Sequence, residues 1–269
     1  MKPFTVNQNI EIDGINLGIK PERKESKFYN SGKWNNFIKP LLLNGRTFID
    51  IGSNAGLFLQ YAKDYGFNKV IGVEKNKTHY NYSKKYRDNI GYNYDILNIK
   101  IGENFNFNEL PVADFVLLSN VHYYFKINEW LNFIDKLQYK TRYCIIVSRK
   151  DNKNKHWMAS ADQKDILNYF KDWEHIKTID NIDAEGDLSP RPLFAMLFKS
   201  KLDIMRIDKI YSMRNPNGVS LDKKLLEDIK VNGLIKPLIV DKSGKLLDGG
   251  HRLIILKELK YKEVPVRII

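Results

Sequence analysis

Cysteine is nearly absent from this 269-residue chain: Cys144 stands alone. An internal disulfide and a thiolate metal site are therefore excluded, and a reducing cytoplasm, of a cell or of a virus-infected host, is the expected setting. Arginine is scarce as well, with 10 residues against 34 lysines behind a formal net charge of +12. Arginine is the usual tool for bidentate phosphate and base contacts, so the charge by itself makes only a weak case for nucleic acid. The richness in Lys, Asn, Ile and Tyr also fits the codon usage of an AT-rich genome. No run of about 18 apolar residues occurs, so no membrane span is expected. Met1 to Asn9 has no basic-then-apolar order, so no secretory signal is expected there. Internal repeats and long low-complexity tracts are missing too.

What is present is enough apolar material, 43% of residues, for a sizeable core; the length suits one large domain or one plus a small one. From Arg46 to about Ser200 short apolar runs alternate with amphipathic stretches, which predicts crossover units around a parallel sheet. The predicted strands are Thr47–Ile51, Lys69–Val73, Ile99–Gly102, Asp114–Ser119 and Tyr143–Ser148. An antiparallel pair, His175–Ile179 and Leu193–Phe198, is expected at the edge. Helical stripes are Leu57, Phe58, Tyr61, Ala62 and Tyr65; Ile127, Trp130, Leu131, Ile134 and Leu137; and Ile166, Leu167 and Phe170. Beyond Lys201 the pattern restarts. It predicts a helix over Leu221–Val231, strands Leu238–Val240 and Lys245–Leu247, a helix from Arg252 to Leu259 and a last strand, Val264–Ile268. The expected division is 1–200, with 1–45 a lead-in, and 201–269.

Two motifs carry chemistry. In Phe48-Ile49-Asp50-Ile51-Gly52-Ser53-Asn54-Ala55-Gly56 an apolar strand runs into an acid and two glycines. Gly52 permits a tight turn near a ligand, Gly56 permits close packing of the next helix, and Asp50 can accept from an ammonium. About twenty residues on, Val70-Ile71-Gly72-Val73-Glu74 ends in a carboxylate suited to ribose hydroxyls. A dinucleotide turn requires Gly-x-Gly-x-x-Gly, and Asn54 occupies its second glycine position, so no pyrophosphate seat forms. The second motif, Asp248-Gly249-Gly250-His251-Arg252, leads two glycines into a helix start beside two basic groups, which is a phosphate seat.

The first motif resembles the class I (Rossmann-like) S-adenosylmethionine-dependent methyltransferases over roughly residues 30 to 200. That resemblance implies a seven-stranded sheet and a cofactor site built from Asp50, Gly52, Ser53, Asn54, Gly56, Glu74, Glu103 near the adenine, and Asn120. After the fourth strand, Ser119-Asn120-Val121-His122-Tyr123-Tyr124 lacks the Asn/Asp-Pro-Pro-Tyr of amino-directed DNA methylases, and Cys144 lies inside a strand rather than at the acceptor. His122 is the candidate base, with Tyr123 and Tyr124 either stacking on a planar acceptor or filling the pocket mouth. Arg23 and the stretch Phe28 to Phe37, with Lys33-Trp34, faintly resemble the tRNA wobble-uridine carboxymethyl-transferring branch; a helix packed on the sheet is the plainer alternative.

The second motif, with Asn215-Pro216, Asn232-Gly233 and Val264-Pro265-Val266, resembles the ParB/sulfiredoxin superfamily over most of 203–269. This implies a small α+β nucleotide-binding unit using Asn215, Gly249, Gly250, His251 and Arg252, for ATP, ADP or CTP with Mg. The cysteine of the reductases is missing, while Asp248 matches the base of the free-serine kinases. The Gly-Glu-Arg-Arg sequence of the chromosome-partitioning branch is lacking, and its following DNA-binding helices are not expected. The leading expectation is methyl transfer to a nucleic-acid component or a small metabolite. Its rivals are a phosphotransferase using the first domain as a cofactor-binding scaffold, and a DNA-associated binding protein without chemistry.

Overall fold

The computed structural model describes residues 11–12, 15–16, 31–102, 105–149, 162–180, 193–212, 221–232, 234 and 236–269. The expected Glu103, Asn215, Arg23 and Phe28 lie outside them. Seven strands form one sheet: β1 Thr47–Ile51, β2 Lys69–Val73, β3 Asp95–Leu97, β4 Ala113–Ser119, β5 Thr141–Arg149, β6 Trp173–Asp180 and β7 Leu193–Ser200. Their order is β3-β2-β1-β4-β5-β7-β6. All neighbours from β3 to β5 pair in parallel, whereas β7 runs antiparallel to both β5 and β6. The two closing strands expected at the edge are thus present as a pair.

Strand alternation splits the apolar side chains between two layers. Ile49, Ile71, Val116, Ile146 and Phe198 face one core with Trp130, Phe133 and Ile134 of α3 (Ile127–Leu137) and Ile166 of α4 (Gln163–Tyr169). Phe48, Val70, Phe115, Ile145 and Leu197 face the other, with Phe58, Leu59 and Ala62 of α1 (Leu57–Tyr65). Two expected helical stripes need rotation. Tyr65 and Leu131 are 42% exposed, and Leu59 and Phe133 are buried in their place. Leu167 also faces outward while Ile166 and Phe170 are buried. For Leu131 and Leu167 a neighbour one or two positions away, Phe133 or Ile166, lies closer to the sheet-facing meridian, a choice that 3.6-residue periodicity leaves open.

The third strand is Asp95–Leu97, not Ile99–Gly102. Ile71 pairs with Asp95 and Val73 with Leu97, and the ladder ends where the Asn98 amide donates to the Glu74 carbonyl at 2.8 Å. Ile99 and Ile101 are apolar because they pack on the core from a loop, and Gly102 is in a bend. The lead-in residues Trp34–Ile38 form a π-helical turn. Trp34 packs on Phe48, Phe58 and Tyr61, so this stretch is a packed helix in the second core.

Residues 203–269 contain a second sheet of β8 Asp203–Arg206, β9 Leu238–Val240, β10 Leu246–Asp248 and β11 Glu263–Ile268, in the order β8-β11-β9-β10. Helices α5 (Lys223–Asn232) and α6 (Gly250–Glu258) join it around Ile229, Leu238, Val240, Leu253, Leu256, Val264 and Val266. β8 is an addition to the sequence expectation; its paired residues Asp203 to Arg206 lack a strong apolar alternation. The two sheets meet at Asn108, whose amide donates to the carbonyls of Ile229 at 3.0 Å and Lys230 at 2.5 Å. Its own oxygen accepts from the Tyr261 hydroxyl at 2.8 Å.

Gly56 and Gly66 bracket α1, both in the left-handed region at φ +93° and +112°. A Cβ on Gly56 would lie 2.5 Å from the Ser83 Oγ, whereas one on Gly66 meets nothing within 4 Å. Gly56→Ala is expected to cost about 3 kcal/mol, summing left-handed backbone and overpacking, and Gly66→Ala only about 1 kcal/mol. Urea midpoints of the two variants test this; equal losses would refute the contact.

Candidate functional site

The strand order reverses between β1 and β4, and there the loops leaving the carboxyl ends of the strands diverge, as at ligand crevices of open α/β sheets. Asp50, Glu74, Asn120 and Ser148 arrive at that end from four neighbouring strands. The turn after β1 is built to lie close to its neighbours. Gly52 (φ +78°) and Asn54 (φ +53°) are both left-handed, and a Cβ on Gly52 would lie 2.4 Å from Val121 of the loop after β4. Gly52 and Ser53 donate backbone N–H to the Val73 carbonyl at 2.8 and 3.2 Å.

Glu74 fastens this turn. One carboxylate oxygen accepts from the Asn54 amide at 2.9 Å and the other from the Asn76 amide at 2.7 Å. Asn76 in turn caps α2 (Lys77–Ile90) by accepting from the N–H groups of Thr78 and His79. A carboxylate has about four acceptor positions, so two remain for a ligand. The glycine roles need one amendment. Gly56 lies against Ser83 of α2, and Gly72 is the residue that admits α1 to the sheet: a Cβ there would meet Leu59 at 2.6 Å and Ser53 Oγ at 2.7 Å.

Asp50 is 1% exposed, and its Oδ2 has no hydrogen-bond partner among the described residues. Burial drives its pKa from 3.8 to about 8, the neighbouring Glu74 charge adds to the rise, and the Lys33 ammonium opposes it. Lys33 is itself buried and stands 5.9 Å over the Phe58 ring. The Oδ1 of Asn120, another left-handed residue, is likewise buried without a hydrogen-bond partner among the described residues. Two buried, unsatisfied acceptors beside a carboxylate with spare lone pairs suit a ligand carrying cationic N–H and hydroxyl donors.

His79 escaped the sequence reading. It sits on the first turn of α2 with Nδ1 3.4 Å from the side-chain Nδ2 of Asn54, and burial holds its pKa below the usual value. Only its position two residues into a helix opened by Asn76 hinted at this. His122 is placed differently from expectation. Its ring is fully buried, 3.1 Å from Ser148 Oγ through Nε2 and packed on Trp130. Desolvation lowers its pKa to about 3, which makes it too weakly basic, and too enclosed, to take a proton from an acceptor in this conformation. Tyr124 is 61% exposed with Lys75 5.1 Å over its ring. Cys144 is buried in β5, with its thiol pKa raised by burial.

In the C-terminal unit Gly249 is left-handed (φ +102°) and Gly250, opening α6, has nothing within 4 Å of where a Cβ would stand. His251 is exposed. Arg252, however, is committed internally. Its guanidinium donates to the carbonyls of Lys236 and Pro237 at 3.0 and 2.6 Å, and to the Asp248 carboxylate at 2.6 Å. That fork cannot also grip two phosphate oxygens, and a carboxylate paired to it is a poor general base. The expected gripping role of Arg252 and base role of Asp248 therefore give way to a latch that shapes the glycine corner.

No protein-family model matches the chain. The uncharacterized protein ORF326b of Acidianus two-tailed virus is 37% identical over 73 residues, 27% of this chain and 22% of that protein. The chain thus spans about a fifth of this curated relative. Among solved structures, N-methyltransferase NodS from Bradyrhizobium japonicum, in complex with S-adenosyl-L-homocysteine, is similar with a TM-score of 0.52 at 10% identity, over 67% of this chain and 89% of that one. The PH0226 protein from Pyrococcus horikoshii gives 0.51 at 12% identity, over 65% and 92%. The similarity is one of fold: a mostly parallel seven-stranded sheet of the methyltransferase kind.

Two outcomes test the site. The folded-state pKa of Asp50 lies above its ordinary 3.8. The associated stability is therefore full below pH 4 and lost as pH rises through about 8. Asp50→Asn should flatten the fall in melting temperature between those limits, and an unchanged slope would count against the buried carboxyl. Arg252→Ala should destabilise the glycine corner by about 3 kcal/mol, with Arg252→Lys failing to rescue because an ammonium cannot span both carbonyls and the carboxylate. Amide exchange over residues 236–253 reports it; unchanged protection would show the latch to be dispensable.

Proposed function

We propose that this chain is an S-adenosylmethionine-dependent methyltransferase acting on a nucleic-acid component or a small metabolite. The observation that carries the reading is Asp50: a buried carboxyl with an unpartnered oxygen at the end of β1, facing a turn that is too poor in glycine for a pyrophosphate. Its neighbours fit the parts of the cofactor. Asp50 would accept from the amino-acid ammonium, Glu74 would take ribose hydroxyls on its two spare acceptor positions, and Ser53, Asn54 and Asn120 would complete the rim. S-adenosylmethionine, when bound, supplies an electrophilic methyl group. The chain's own work is then to hold the acceptor in line and to exclude water. The C-terminal unit reads as a ParB/sulfiredoxin-like nucleotide-binding module of residues 201–269. What supports it is the open Gly250-His251 start of α6, where backbone N–H groups and the helix dipole attract anions.

Calorimetry at pH 7 should show S-adenosylmethionine binding accompanied by release of about one proton. A cationic ligand beside Asp50 lowers its pKa from about 8. Repeating the titration in buffers of different ionisation enthalpy reveals that proton. Asp50→Asn should weaken binding at least tenfold and abolish the release. Heat with NAD and none with S-adenosylmethionine would overturn the assignment.

A further inference from the structure

Outside the cofactor end of the sheet, a cleft of about 520 Å³ runs along edge strand β3. Its volume lies in the range of ligand sites. One wall is α2, which presents Tyr80, Lys84 and Arg87; the floor is Ile71, Ile96 and Leu97; the other wall is the 107–109 turn with Asn108 and Glu109. Lys69 and Asp95 stand at the starts of the two strands. The two ends of the cleft connect to different things. At one end Asn108 bonds the C-terminal carbonyls of α5 and the Tyr261 hydroxyl, so the C-terminal unit borders the opening. At the other, Leu97 precedes Asn98, which holds the Glu74 carbonyl beside the cofactor turn.

We propose that this cleft carries a single-stranded polynucleotide from the C-terminal unit toward the methyl-transfer site. This rests on the methyltransferase reading and names its acceptor class. Lys69 and Lys84 supply two cations, while the Arg87 guanidinium is paired with the Asp88 carboxylate and donates to the Tyr94 carbonyl. Phosphates of a single strand gain by releasing counterions on such a row. Tyr80 supplies the stacking face. Lys77 and Lys84 now stand 4.6 and 5.7 Å from its ring centroid. An exposed cation–π contact contributes about 0.5–1 kcal/mol, and a stacked base about 1–3 kcal/mol, so a base displaces a lysine from the ring. The displaced ammonium then lies beside the backbone that the base belongs to. Asp95 and Glu109 oppose a bare polyanion, but they accept hydrogen bonds from exocyclic base amino groups. The lining is thus suited to bases attached to phosphate rather than to phosphate alone.

Fluorescence anisotropy with a labelled twelve-nucleotide mixed-sequence single strand tests the path on the full chain. Wild type should bind with affinity falling steeply with salt. Lys69→Ala/Lys84→Ala should bind at least tenfold more weakly, with a salt slope shallower by about 1.4 for the two lost phosphate contacts. Tyr80→Ala should weaken binding at unchanged slope. S-adenosylmethionine binding, measured in the same variants, should remain as in wild type, which shows that they are folded. Variants binding within twofold of wild type, or a wild type whose binding ignores salt, overturn the path. Loss of the cofactor reading alone leaves oligonucleotide binding to stand or fall by itself.

Discussion

Glu74 uses one carboxylate to tie the end of β2 both to the turn after β1 and to the start of α2 just beyond it. It ends β2, accepts the Asn54 amide from the turn after β1, and accepts the Asn76 amide at the start of α2. Its carbonyl receives the Asn98 side chain at the end of β3. Each backbone N–H that it satisfies is part-buried, so losing the bond would cost about 1 kcal/mol apiece. The turn can be left-handed at both Gly52 and Asn54 because this carboxylate holds it from the side. The shape of the cofactor end therefore depends on a residue that also has lone pairs left for a ligand.

A second carboxylate stands behind the first. Asp50 lies deep in the sheet with Glu74 as a like-charged neighbour and Lys33 as the nearby cation. Such an arrangement is a poor choice for stability, since a buried acid without full pairing disfavours folding as it ionises. Strain of that kind is expected at ligand sites, where the ligand completes what the fold leaves open. The lead-in helix takes part through Lys33, while Trp34, wedged among Phe48, Phe58 and Tyr61, fixes where that ammonium can stand. The lead-in is accordingly part of the site's electrostatics even though it packs as core.

Much of this was legible in the residues. β1, β2 and α1 follow the runs Thr47–Ile51, Lys69–Val73 and Leu57–Tyr65, because continuous apolar stretches bounded by glycine admit few alternatives. β3 was misplaced because Ile99 and Ile101 are apolar for packing from a loop, while the true strand, Asp95-Ile96-Leu97, is short and half-exposed at an edge. The roles of single polar residues were harder still. His122 has the chemistry of a base and the burial of a core residue. Arg252 has the chemistry of a phosphate clamp, yet it is spent on two carbonyls and Asp248. Side-chain identity states what a group can do; only its surroundings state whether those donors and acceptors are already taken.

The position of the joint between the two sheets has a functional consequence. Asn108 lies in the connection leading into the start of β4, whereas Asp50 and Asn120 lie at the ends of β1 and β4. The C-terminal unit therefore attaches toward the amino ends of the parallel strands, at the opposite end of those strands from the turn after β1. β4 alone spans seven residues, about 20 Å at the rise of a strand. The contacts that join the C-terminal unit to the 107–109 turn thus lie about that far along the strands from the turn after β1. If both sites serve one reaction, they must grip different parts of an extended molecule. A chain-like acceptor satisfies that geometry, and a small metabolite would leave the C-terminal unit to a separate task.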